Sequence, residues 1–277
     1  MKNGLLVLTV AVLLLTFVVA GAGLQPTEPT DTGIKILSFR TDKDLYASNE
    51  EMTLFLSLYS PAKMNNVLIR VSGVKSTKGI YYISSSSQMN LTAGENTLML
   101  TKQLPACSRC AGIDQGTYFI NLSVAYDGEV MEATHSIAVT QTKNQIIPVD
   151  IIVEEAKRMS ESENLTLLDL RTEEEYHAAH IEGALLMPIA ELSNRTEELN
   201  KSSKIVVYSE NGSNSTKACD ILIEKGFDRV YNVLGGINAW NESGYPLVAT
   251  ATPKQPGFEA VLALVATLIV AYRLRRG

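Results

Sequence analysis

Two short stretches of this 277-residue chain combine residue types that do chemistry. The first is Cys107-Ser108-Arg109-Cys110, two thiols separated by two residues. Such a pair closes a small disulfide, exchanges disulfides where a helix start lowers a thiol pKa, or supplies two of the four ligands of a structural zinc. Only His135 stands near enough in sequence to add a ligand, and the pair precedes a strand pattern rather than a helix start. A loop-clamping disulfide is therefore the favoured reading. The second stretch is Ser209-Glu210-Asn211-Gly212-Ser213-Asn214-Ser215, a polar loop directly after the apolar run 205–208. An alcohol such as Ser209 needs an adjacent base to become a nucleophile, and none is evident nearby. Both Asn211-Gly212-Ser213 and Asn214-Ser215-Thr216 are N-glycosylation acceptor sequences. The remaining cysteine, Cys219, sits beside Ala218, Ile221 and Leu222 and reads as a buried helical residue.

The elements that must position these residues fall into two patterns. Apolar alternation of period two predicts strands at 34–41, 52–59, 66–74, 81–85, 96–104, 116–125 and 130–139, separated by turn clusters such as Asp42-Lys43-Asp44 and Tyr126-Asp127-Gly128. Seven strands without a convincing helix, over 34–141, predict an all-β immunoglobulin-like sandwich. Its default role is that of a spacer or binding module that holds the next domain away from a membrane. From Pro148 the pattern changes to α/β. Helices are expected at 149–160, 173–179, 189–199 and 216–225, alternating with apolar strands at 165–170, 205–208 and 230–233, which implies a parallel sheet.

The two ends carry targeting patterns. Residues 1–22 combine one lysine, an uncharged apolar run and the small residues Ala20-Gly21-Ala22, which is the layout of a secretory signal cut after Ala22. An uncleaved anchor is the alternative, although the apolar run is shorter than the ~20 residues a span needs. A spacer covers 23–33 and a linker 250–255. At the other end, Pro256-Gly257-Phe258 precedes an uncharged stretch and the cluster Arg273-Leu274-Arg275-Arg276. Basic residues beyond a short transmembrane segment remain cytoplasmic, so everything before it lies outside the cell. Segment 256–277 resembles the PGF-CTERM sorting signal of archaeal surface proteins. That resemblance implies removal of the tail by an archaeosortase-type protease and anchoring to the membrane by a lipid.

Export agrees with the asparagines. Eight of 16 stand in Asn-x-Ser/Thr, at Asn90, Asn121, Asn164, Asn194, Asn200, Asn211, Asn214 and Asn241, where the Ser and Thr content predicts about 2.5 by chance. A net charge of −6 and a sequence pI near 5.2 give nucleic-acid binding no electrostatic support. Three cysteines are too few for a disulfide-built scaffold, so hydrophobic cores must hold the fold.

A second resemblance spans 145–249. Leu168-Asp169-Leu170-Arg171 followed by Glu175-Tyr176, then His180-Ile181-Glu182-Gly183-Ala184, and finally Leu234-Gly235-Gly236 with Trp240, resembles the rhodanese-like domain. Asp169, Arg171, Glu175, His180, Gly183, Gly235, Gly236 and Trp240 are expected to act architecturally. The resemblance implies that the six-residue loop starting at Ser209 corresponds to the cradle in which sulfurtransferases of the family carry a cysteine persulfide. Here Ser209 replaces that cysteine, Asn214 stands where an arginine commonly closes the loop, and Glu210 brings a negative charge that would repel an anionic sulfur donor. The expectation is a cell-surface protein without catalytic residues, cofactor or metal, which binds an envelope protein or a peptide. A sulfur-handling enzyme built on Cys107 and Cys110 is the alternative.

Overall fold

The computed structural model describes residues 33–106, 112–162 and 164–250. The signal and sorting segments, Ala22, Pro256, Gly257 and Phe258, and the Cys107/Cys110 pair lie outside the described residues. No helix among the described residues is long and apolar enough to cross a membrane, and the expected C-terminal span is not among them.

The first half is all β. Its strands are β1 (Lys35–Thr41), β2 (Leu45–Ala47), β3 (Glu51–Ser60), β4 (Met64–Lys75), β5 (Tyr81–Leu91), β6 (Gly94–Gln103), β7 (Gly116–Tyr126) and β8 (Glu129–Thr140). They form a three-stranded sheet in the order β1-β3-β6 and a five-stranded sheet in the order β2-β8-β7-β4-β5. All pairings are antiparallel except β2 with β8. Alternate residues of both sheets, among them Leu54, Leu56, Leu58, Val67, Ile69, Ile120, Leu122 and Val124, bury into one core. Seven of the strands match expectation. The eighth, β2, has only three residues, too few to show a period. β5 runs six residues beyond the expected end because its polar Ser84–Gln88 stretch lies on an exposed edge, where hydrophobicity gives no signal.

The second half alternates β9 (Val149–Ile151), α1 (Val153–Ser162), β10 (Leu165–Asp169), α2 (Glu173–Ala178), β11 (Leu185–Leu186), α3 (Ile189–Arg195), β12 (Lys204–Tyr208), α4 (Ser213–Glu224), β13 (Val230–Val233) and α5 (Gly236–Glu242). The sheet is wholly parallel, in the order β11-β10-β12-β13-β9. Ile205 to Tyr208 of the central β12 are buried on both faces, as a strand covered by helices on each side must be. One expected element changes type: the helix expected at 149–160 begins only at Val153. Val149 and Ile151 are both buried and pair with β13, so the β-branched alternation wins there. Helix α3 likewise stops early, giving way to a 3-10 turn at Thr196–Glu198.

The described residues from Ile34 onward form one compact unit, and the two halves share a buried polar seam. Ala138 of β8 packs into the α/β core with Val149, Ile151 and Tyr231. Glu155 of α1, 4% exposed, accepts from the Ser136 amide and hydroxyl and lies 2.7 Å from His135 Nδ1. Thr41 Oγ1 reaches both the Lys43 carbonyl and His135 Nε2, the latter at 2.7 Å. Beside them, Asp44 accepts from Lys204 Nζ at 3.0 Å and the Tyr231 hydroxyl at 2.6 Å. Breaking the seam would leave the buried Glu155 carboxylate without its partners on β8.

Burial works to raise the Asp44 pKa, but Lys204, Tyr231 and His135 outweigh it and hold the carboxyl below its usual value. A depressed folded-state pKa means that the stabilisation is fully present above the unfolded value of about 3.9 and is lost as pH falls through the lower folded one. Asp44→Asn should therefore lose about 3 kcal/mol at neutral pH and show a flatter acid limb than the wild type. Chemical denaturation across pH checks both, and equal stabilities at neutral pH would contradict the seam.

Candidate functional site

The carboxyl end of β10 supplies the first fixed point. Asp169 is fully buried, and its carboxylate accepts from the Arg171 amide (3.0 Å), Arg171 Nε (3.0 Å), Arg171 Nη2 (2.6 Å) and the Tyr208 hydroxyl (2.7 Å). Arg171 also donates to the Ala179 carbonyl at 2.6 Å, and Tyr208 Oη accepts from the Ile181 amide at 3.2 Å. Burial first, then the Asp169 charge, pushes the Tyr208 phenol well above its ordinary value and keeps it a donor. Around this hub, Thr172 and Glu175 form a reciprocal capping box at the start of α2. His180, 4% exposed, stacks on Tyr176 with centroids 3.8 Å apart, and its Nδ1 donates to the Tyr176 carbonyl. Its backbone bridges to Val248. Gly183, with φ +79, turns the chain that follows these contacts.

Tyr208 leads directly into the loop. Ser209 is 2% exposed, and its Oγ accepts from the Gly212 amide at 3.1 Å and the Ser215 amide at 3.4 Å. Ser215 Oγ in turn donates to the Gly212 carbonyl at 2.9 Å. The backbone amides that would surround a ligand atom thus converge on the serine's own oxygen. Among the described residues no histidine or carboxylate hydrogen-bonds Ser209 Oγ, so no base is placed to activate it. Helix α4 starts at Ser213, three residues before the expected 216, because Gly212 turns the chain at φ +92 and Asn211 Oδ1 accepts from the Ser213 amide. Ser213, Asn214 and Ser215 therefore belong to the first turn of α4 rather than to a free loop.

A second element clamps the loop from the far side. The amides of Ile237 and Asn238, in the first turn of α5, donate to the carbonyls of Ser209 (2.9 Å) and Glu210 (3.1 Å), satisfying helix-end groups that otherwise lack partners. This approach is possible only at glycine. A Cβ on Gly236 would stand 2.1 Å from the Ser209 carbonyl oxygen, and one on Gly235 would stand 2.6 Å from the Ala239 Cβ. Trp240 anchors the helix, 2% exposed in the core, with its indole N–H donating to the Pro246 carbonyl at 3.1 Å.

Outside the loop lies a cavity of about 230 Å³ bounded by Arg171, Glu175, Pro188, Glu210 and Asn214. Arg171 is its one cation among the described residues, and that guanidinium is committed to Asp169 and Ala179. Glu175 and Glu210 leave the mouth acidic. A much larger cleft of about 1050 Å³ lies along the seam, between β1, β8, α1 and the starts of β12 and β13. Cys219 is fully buried in α4, and burial pushes its thiol pKa far up, so it is no candidate nucleophile. All eight sequon asparagines, including Asn211 and Asn214, are exposed. Sequence reasoning missed His135 and Glu155 as partners, since nothing local links residues 20 apart, one on β8 and the other on α1.

The clamp yields a direct test. Gly236→Ala should cost about 3 kcal/mol by displacing the Ser209 carbonyl, whereas Gly244→Ala, at φ +74 with open space around it, should cost only about 1 kcal/mol. Equal denaturation midpoints for the two variants would refute the clamp.

Comparison with known proteins places these features. The rhodanese-like domain family matches residues 153–243, and the PGF-CTERM motif matches 255–277. A sulfurtransferase of Allochromatium vinosum is 36% identical over 94 residues, which are 34% of this chain and 88% of that protein. The thiosulfate sulfurtransferase GlpE of Actinobacillus pleuropneumoniae is 31% identical over 98 residues, 35% of this chain and 91% of that protein. Among solved structures, a rhodanese-related protein of Thermoplasma volcanium is 29% identical, covering 36% of this chain and 96% of its own, with a TM-score of 0.34. The PGF-CTERM motif implies archaeosortase processing and membrane anchoring at an archaeal cell surface. Asp169, the glycine clamp and the parallel sheet thus sit within a matched domain, and the chain belongs to the rhodanese-like family.

Proposed function

We propose that this protein is a surface-anchored, rhodanese-like binding module that has kept the family's amide cradle and given up its sulfur chemistry. One observation carries the reading: Ser209 occupies the start of the cradle, and its own oxygen takes the amides that would otherwise stabilise a thiolate. The acidic mouth made by Glu175 and Glu210 supports it, because an anionic donor such as thiosulfate meets repulsion there. Exposed sequons at Asn211 and Asn214 support it further, since a glycan on either would cover the cavity. In this reading 1–22 is a cleaved signal and 34–141 an immunoglobulin-like sandwich. The 3 + 5 arrangement of its sheets favours that assignment. The domain at 145–249 faces an envelope protein or peptide, and Cys107 and Cys110 form a disulfide.

A second reading is favoured by the relatives that bear the name sulfurtransferase. In it, Cys107 and Cys110 supply the thiol that Ser209 lacks. Incubating the purified protein with thiosulfate and cyanide separates the two. Thiocyanate should form no faster than with Ser209→Ala, whereas turnover that disappears on Cys107→Ser would establish the enzyme instead.

A further inference from the structure

The edges of the sheets are treated very differently. An uncovered strand edge offers a row of unpaired amides and carbonyls to another chain, and proteins blunt such edges by shortening, bulging or covering them. Here β2 and β9 have three residues each and β11 has two. β1 carries a bulge between Ile36 and Ser38 and borders the seam cleft. β5 meets β4 with a register shift and bears the exposed sequon residue Asn90.

Among the described residues β6 is neither short, bulged nor covered, and Lys102 near its end is its one cation. Its ten residues pair with β3 without a break, from Glu51 opposite Gln103 to Ser60 opposite Gly94, and its other edge is free among the described residues. It contains no proline, and Met99 at its centre is 68% exposed. The same sheet face exposes Tyr59. The sequons of the β half lie on β5 and β7, leaving β1, β3 and β6 without an acceptor.

We infer that β6 is a homodimer edge, joining β6 of a second copy to make a six-stranded sheet. The strand is self-complementary. An antiparallel pair about a two-fold axis at Met99 sets Met99 against Met99, Thr97 against Thr101 and Glu95 against Gln103 on the outer face. On the inner face it sets Leu98 against Leu100 and Asn96 against Lys102. Apolar meets apolar, and no like charges face each other. The alternation excludes one-residue slips, which would put outer residues opposite inner ones, and among the in-phase registers the axis at Met99 sets each apolar side chain opposite another. A second copy is thereby favoured over an unrelated partner, which would have no reason to find this symmetry.

The test uses the full chain in detergent and in membranes. Light scattering coupled to gel filtration should show a dimer. Met99→Cys should cross-link under mild oxidation, well beyond the wild type and beyond Ser86→Cys, an exposed position on the other sheet. Met99→Lys should abolish the dimer while leaving the circular dichroism spectrum unchanged, as expected for a residue outside the core. A monomer at the highest concentration reached, or Met99→Cys cross-linking no better than Ser86→Cys, overturns the inference even if another protein later proves to bind this edge.

Discussion

A single buried carboxylate organises the functional end of the α/β half. Asp169 has no exposure to water, so its charge is tolerable only because Arg171 and Tyr208 saturate it with hydrogen bonds. Those two residues reach in opposite directions. Arg171 ties the end of α2 through the Ala179 carbonyl, and Tyr208 ties Ile181 while ending the strand that launches the Ser209 loop. The cradle's position is thus a consequence of satisfying one charge. The guanidinium spent on that task is also unavailable to an anionic ligand, so the same interaction that builds the site limits what the site can attract.

The glycine pair imposes the complementary constraint from α5. With Gly235 and Gly236 the helix start comes close enough for its amides to take the loop carbonyls, and the loop amides are left pointing inward toward Ser209 Oγ. Backbone geometry of this kind needs no particular side chain at position 209. At the opposite end of the sheet, the seam through His135, Glu155, Asp44 and Lys204 joins the β half to the α/β half. The two behave as one body at that contact.

Much of this was legible in the residues. Strands with strong alternation, such as β3, β4 and β7, and the apolar β12 announced themselves, because each buries one or both faces. Asp169, Gly235, Gly236 and Trp240 were legible through the family pattern, and their contacts follow from burial and close approach. What escaped were features set by distant pairing. β2 and β11 are too short to carry a period, and β9 reads as helix until β13 is placed beside it. His135 drew notice only as too little to complete a zinc site, since its partner Glu155 lies on a helix beyond a change of fold class. The early start of α4 depends on the φ of Gly212, which composition does not encode.

The central claim is that the cradle survives without a sulfur carrier. Intact-mass spectrometry of the native protein after incubation with thiosulfate tests it most directly, because a persulfide adds the mass of one sulfur atom whether or not an acceptor is present. An unchanged mass is expected. A one-sulfur adduct that cyanide removes, mapped to any peptide of the chain, would contradict it.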